Sequence, residues 1–202
     1  MALNRISRRC FHGLAISAAL RAAGPAHKPV PLLNETEFAD VFDSEVQKQI
    51  QAKCSSIARG FAANTNAVAY VFTEIPPWTR AWVDWFRARH ADSPGKQQYI
   101  QFLKETYSYS IGDVNNAYSI DSTSFTDLGQ FNWKSARLDA ERPRADDEEF
   151  LGWIAQALFS PSVEALRKTD PKHLILGQQF GPDTPKAVLR ASAKVLDVVR
   201  AE

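Results

Sequence analysis

Glu74 is the residue of this sequence best placed to do chemistry. It directly follows Ala67-Val68-Ala69-Tyr70-Val71-Phe72-Thr73 and precedes Ile75-Pro76-Pro77-Trp78. A short run rich in β-branched and aromatic residues predicts a strand buried on both faces in a parallel sheet. The two prolines then prevent that run from continuing as strand or helix. A carboxylate just past the carboxyl end of such a strand stands where the loops of β/α enzymes converge on one mouth. Against an apolar wall such as Trp78 its pKa would rise, and a carboxyl kept protonated near neutrality can deliver a proton to a glycosidic oxygen. A loop-capping or ion-paired glutamate would have the same local sequence.

Five tryptophans, at 78, 82, 85, 133 and 153, could offer flat apolar faces to sugar rings. The helical spacing of Trp82 and Trp85 assigns them to a core, which leaves Trp78 and Trp133, both expected in loops, as candidate platforms. His173 precedes a second apolar run, so a structural hydrogen-bonding role is expected at the end of the sheet associated with stability. Cys54 falls on the apolar stripe of a helix and reads as a small buried hydrophobe. The sequence has no G-x-G-x-x-G, no phosphate-binding lysine loop, no G-x-S-x-G and no H-E-x-x-H, so nothing calls for a nucleotide, a cofactor or a metal. Its two cysteines, 10 and 54, sit in no zinc-type cluster.

The charge balance excludes other partners. The 202 residues carry 24 Lys plus Arg against 23 Asp plus Glu, a formal net charge of +1, which provides no overall field for nucleic acid. A 45% hydrophobic and 23% charged composition is that of a folded globular chain. No run approaches the roughly 20 apolar residues that span a bilayer, so no integral membrane segment is expected. Before Glu35 the chain has no acidic residue. Ser7-Arg8-Arg9-Cys10-Phe11 followed by the apolar run 13–20 resembles a twin-arginine export signal, so residues 1–33 read as a leader and the protein as secreted or periplasmic. An amphipathic transit peptide and a remnant of an upstream barrel element fit the same residues.

The elements that must hold Glu74 follow from periodicity. Asp43 can cap a helix with Val46, Ile50, Cys54, Ile57 and Phe61 on one face. Thr79 can cap another carrying Trp82, Trp85, Phe86 and Arg89; after Ser93-Pro94-Gly95 comes a third, with Tyr99, Ile100, Leu103 and Tyr107. Short helical pieces are expected near 114–118 and 124–128. The charged stretch 137–147 reads as a solvated loop. Asp146 or Asp147 would then cap the longest helix, kinked at Pro161 and ended by Thr169-Asp170-Pro171. Strands are expected over 174–176 and 195–199, with a helix opened by Thr184 and Pro185 between them. Strand, helices, strand, helix, strand implies right-handed crossovers and a parallel sheet. The last strand lacks a following helix, so the chain is expected to be cut short or to find cover by self-association at an open sheet edge.

Joined together, these patterns resemble a known family. Asp40-Val41-Phe42-Asp43, the segment 69–78, Asp92-Ser93-Pro94-Gly95-Lys96 with Tyr99, Asn116-Ala117-Tyr118 with Ser124-Phe125, and Asp170-Pro171-Lys172-His173-Leu174-Ile175-Leu176-Gly177 are similar to stretches of agarase-like glycoside hydrolases. The resemblance spans most of residues 38–199. It implies an α/β chain forming part of a (β/α)8 barrel over residues 34–202, acting on O-glycosidic bonds of a polysaccharide. It also implies that Glu74 occupies the acid/base position after the fourth barrel strand, and that 174–176 and 195–199 are the fifth and sixth strands. The nucleophile after the seventh has no counterpart here, so weak or no hydrolysis by this chain alone is expected. Thr73 stands where the family often has Asn, and Gln178-Gln179 where an Arg commonly follows the fifth strand, which makes Gln179 a substrate-binding candidate with Trp78 and Trp133. A non-catalytic carbohydrate-binding protein derived from such a barrel is the alternative reading.

Overall fold

A computed structural model describes residues 15–20, 30–31, 39–64, 67–73 and 75–201. Strand β3 (Ala67–Thr73) is central, with β4 (Leu174–Phe180) and β5 (Val198–Ala201) parallel beside it. On its other side β1 (Ala15–Leu20) runs antiparallel, followed by the two-residue β2 (Val30–Pro31). The sheet order is β2-β1-β3-β4-β5. A wholly parallel sheet was expected; parallel pairing holds for β3, β4 and β5 only. The described strands form an open sheet, and a barrel is not shown. Within the stretch read as a leader, Ala15–Leu20 pairs with β3, while Arg8 and Arg9 lie outside the described residues.

Register sets which face is covered. Tyr70 pairs with Ile175, and both are buried. Tyr70 and Phe72 lie on the side of helices α1 (Ser44–Phe61) and α6 (Glu141–Thr169): Phe72 meets Phe159 edge-on, and the Tyr70 hydroxyl reaches Asp170. On the opposite face the pairs Ala69–Leu174 and Leu176–Val198 leave Leu174 and Val198 nearly half exposed. Strand β5 begins at Val198 rather than 195. Residues 195–197 instead close the end of helix α7 (Lys186–Ala193), and Asp197 receives the Ile175 amide at 2.7 Å while ion-pairing with Arg167. Helix α7 also lacks the expected Thr184 cap: its N-cap is Pro185, with no side-chain hydrogen bond. Gly152 permits its close packing on α6, since a β-carbon there would lie 3.0 Å from the Ala187 carbonyl oxygen.

Asp43 caps α1 as its position foretells, and the buried residues Ile50, Cys54, Ile57 and Ala58 form its inner face. Burial pushes the Cys54 thiol up to about 12, which makes it inert near neutrality. Helices α2 (Arg80–Arg87) and α3 (Pro94–Thr106) follow, with Thr79 and Ser93 as N-caps. Then come α4 (Ile111–Tyr118), α5 (Phe125–Gln130) and a 3-10 turn at Trp133–Ser135.

The stretch 137–147 is not a loop throughout. Helix α6 starts at Glu141 and runs unbroken through Pro161 to Thr169. Pro143 is tolerated because the first-turn amides have no intrahelical acceptor. Asp146 and Asp147 are buried within the helix rather than capping it. Asp147 pairs with buried Arg87. Asp146 accepts from Tyr107 at 2.5 Å and Tyr118 at 3.0 Å, and pairs with Arg142. Charge that reads as solvated therefore bolts α6 to α2 and α4.

The far end of α6 is fastened by Asp170. It accepts from the Tyr70 hydroxyl at 2.6 Å, lies 2.6 Å from the His173 ring, and accepts the backbone amides of Lys172 and His173. The structural role expected for His173 is what the geometry shows. Burial alone would raise the Asp170 pKa, yet these donors outweigh it and hold the carboxyl at about 2. Because the folded value is depressed, its stabilisation is complete above the unfolded value near 4 and is lost as pH falls toward 2. The contribution is about 2 kcal/mol. Urea midpoints should therefore fall between pH 4 and pH 2, and the fall should be smaller in Asp170→Asn; equal slopes in both proteins would contradict this assignment.

Candidate functional site

The carboxyl ends of β3 and β4 open onto a cleft of about 380 Å³. Its walls come from the two loops that leave these strands. Ile75, Pro77, Trp78 and Thr79 connect β3 to α2; Gln178 and Gln179 on β4, with residues 181–184, lead to α7. A cleft at the carboxyl ends of adjacent parallel strands is the usual place for ligands in β/α folds, because the connecting loops diverge there. The prolines at 76 and 77 stop β3, and Gly181-Pro182 stops β4.

Trp78 and Gln179 line this one cleft, and Gln178 lines it with them. Glu74 lies outside the described residues. Its chain neighbours are Thr73, which ends β3, and Ile75, which lines the cleft. Among the described lining residues the one carboxylate is Asp183, which is exposed.

Trp78 is not an open platform. It is 5% exposed, stacks on Trp82 at 5.6 Å between ring centroids, and tilts against Phe159 at 6.1 Å. Apolar rings without other partners bury against each other, and the loop after β3 is short enough to fold Trp78 onto α2. Its polar edge is buried as well. Among the described residues its Nε1 donor has no acceptor, and the Oε1 acceptor of Gln178 has no donor. Buried groups of this kind are uncommon in folded proteins and call for a partner. One unanswered donor and one unanswered acceptor thus lie buried in side chains that line the cleft, beside the apolar Ile75, Pro77 and Pro182 and the polar Thr79, Gln179, Asp183 and Thr184.

Trp133 is not in this cleft. It is 5% exposed, with Tyr99 at 5.3 Å, Tyr118 at 5.5 Å and Phe131 at 5.5 Å around its ring. It lines a separate, larger cleft beside Arg87 and Lys96. Sequence reading missed Gln178: alternation along β4 distinguishes the two glutamines, but only the surroundings show that Gln178 carries an unanswered atom.

Comparison with solved structures agrees with the architecture. An exo-β-agarase superposes with a TM-score of 0.68 at 22% identity, over 87% of this chain and 24% of its own. For PfGH50B the values are 0.70, 24%, 81% and 25%; for the agarase AgWH50C they are 0.70, 23%, 86% and 24%. The chain spans about a quarter of the length of these structures, and at such identities the likeness is one of fold. No protein family description matches the sequence. No curated protein does either.

Proposed function

We propose that the cleft at the ends of β3 and β4 binds a segment of a polysaccharide, with Glu74 as the proton donor to a glycosidic oxygen, as in agarase-like glycoside hydrolases. The observation that carries this reading is the unanswered pair buried in two cleft-lining side chains, Trp78 Nε1 and Gln178 Oε1, which a bound ligand would reach by a shift of those side chains. A sugar hydroxyl both donates and accepts, so a single class of ligand satisfies both atoms. Ile75, Pro77 and Pro182 on the wall suit the C–H faces of a pyranose ring, and a neutral galactan is the ligand class in keeping with the agarase-like fold. Gln179, on the same strand, would contact an adjacent sugar.

Protonating the leaving oxygen is half of glycoside hydrolysis. Retaining chemistry needs a second carboxylate about 5 Å away, and inverting chemistry one about 6.5–9.5 Å away. Asp183 is the described carboxylate of the cleft, but it does not stand at the family's nucleophile position. That supports the second reading, a carbohydrate-binding protein with little turnover of its own.

Calorimetric titration with agaro-oligosaccharides tests the site. Gln178→Ala should weaken binding by roughly fivefold to tenfold, the cost of about one hydrogen bond. Glu74→Gln, which keeps shape and hydrogen-bonding reach, should leave affinity within about threefold while removing any hydrolysis. Affinity indifferent to Gln178→Ala would overturn the cleft. Hydrolysis that survives Glu74→Gln would remove Glu74 from the proton-donor role.

A further inference from the structure

The second cleft, about 640 Å³ and within the range of ligand sites, lies among α2, the start of α3, and the segment from α5 through Trp133. Its lining is strongly one-signed. Arg80, Arg87, Arg89, Lys96 and Lys134 face a single carboxylate, Asp84. Asp84 and, behind the wall, Asp147 engage Arg80 and Arg87. Among the described residues, Arg89, Lys96 and Lys134 form no ion pair.

Lys96 is the unusual member. It is 1% exposed, and its ammonium donates to the Arg87 carbonyl at 2.5 Å, the end of α2, with the Trp133 ring 5.6 Å away. An ammonium has three donors, and no carboxylate offsets its charge. Burial is the main reason that its pKa falls to about 8, with the like charge of Arg87 adding to the fall. Trp133, on the same wall and also buried, has an Nε1 donor that meets no acceptor among the described residues. Donors in excess, cations in excess and an open volume share one place. Each deficit is met by a compact multivalent acceptor carrying negative charge.

We infer that this cleft is a binding site for a tetrahedral oxyanion, sulfate or phosphate, seated between the exposed cations Arg89 and Lys134 and over the buried Lys96 and Trp133. The site is separate from the saccharide cleft and does not depend on that reading. A sulfate ester on a polysaccharide and a free phosphate present the same oxygens.

The test follows the Trp133 indole N–H by NMR in the full chain. Sodium sulfate, inorganic phosphate and a sulfated galacto-oligosaccharide are titrated separately at constant ionic strength, with sodium chloride as the reference. The expected result is a saturable shift of that resonance with at least one oxyanion and none with chloride. Arg89→Ala with Lys134→Ala, both on exposed side chains, should weaken the binding by about tenfold or more, as the loss of charge-assisted hydrogen bonds implies. Tighter binding of the sulfated oligosaccharide than of free sulfate would identify a carried ester, and preference for inorganic phosphate a small-molecule ligand; either supports the site. No saturable shift with any of the three, or a shift unchanged in the double variant, would overturn it.

Discussion

Asp147→Ala should destabilise the protein by about 3–5 kcal/mol, the typical cost of removing one partner from a buried ion pair. Arg87 is 3% exposed, with its guanidinium on Asp147 and its Nε donating to the Tyr99 hydroxyl at 2.9 Å. Burial alone would favour loss of its charge, but the Tyr99 oxygen and the Asp147 carboxylate outweigh it and hold the guanidinium more firmly charged than usual. Without Asp147 that charge stays buried, with Asp84, half exposed, as its remaining carboxylate. The urea midpoint should fall at nearly constant slope. The double replacement Arg87→Met with Asp147→Leu should recover much of the loss, because an apolar pair of similar volume carries no desolvation cost. A loss below about 1 kcal/mol in the single variant would mean that water reaches Arg87.

Phe150→Ala should cost a similar amount, about 3–5 kcal/mol, because it empties the point at which the helices converge. The ring is fully buried in α6, stacked on Phe42 at 5.9 Å and edge-on to Phe86 at 5.9 Å and Tyr99 at 5.1 Å, with Phe102 at 5.3 Å. These neighbours belong to the segment before α1, to α2 and to α3, so the cavity has walls on several elements that cannot all collapse inward. Thermal unfolding of Phe150→Leu should fall between wild type and alanine. A loss under about 1.5 kcal/mol for alanine would show that the surroundings close over the gap.

The parts of the molecule legible in the sequence are those in which a local signal and the tertiary answer agree. Asp43 and Thr79 announce helix starts because a cap is satisfied within a few residues. The runs around Tyr70 and Ile175 announce strands because both faces are apolar. The start of α6 was hidden, because Asp146 and Asp147 owe their burial to Arg87, Tyr107 and Tyr118, which lie 28 to 60 residues away. Nothing local distinguishes a charge bound for a distant partner from one bound for water. Antiparallel β1 was ambiguous for a related reason: an eight-residue apolar run closed by Arg21 has the composition of a leader as well as of a strand. At the site, the prolines that end β3 mark where the cleft-lining loop begins. The role of Trp78 differed because exposure depends on what the loop folds onto, and here it folds onto Trp82.

The most direct test of the saccharide cleft is amide chemical-shift mapping of the labelled chain during titration with a neutral agaro-oligosaccharide. The expected result is saturable perturbation concentrated at Ile75, Trp78 and Thr79 and at Gln178 through Thr184, including the Trp78 indole N–H, with the Trp133 indole unmoved. Perturbation that spares both loops, or that centres on Trp133, would contradict the assignment of polysaccharide binding to the ends of β3 and β4.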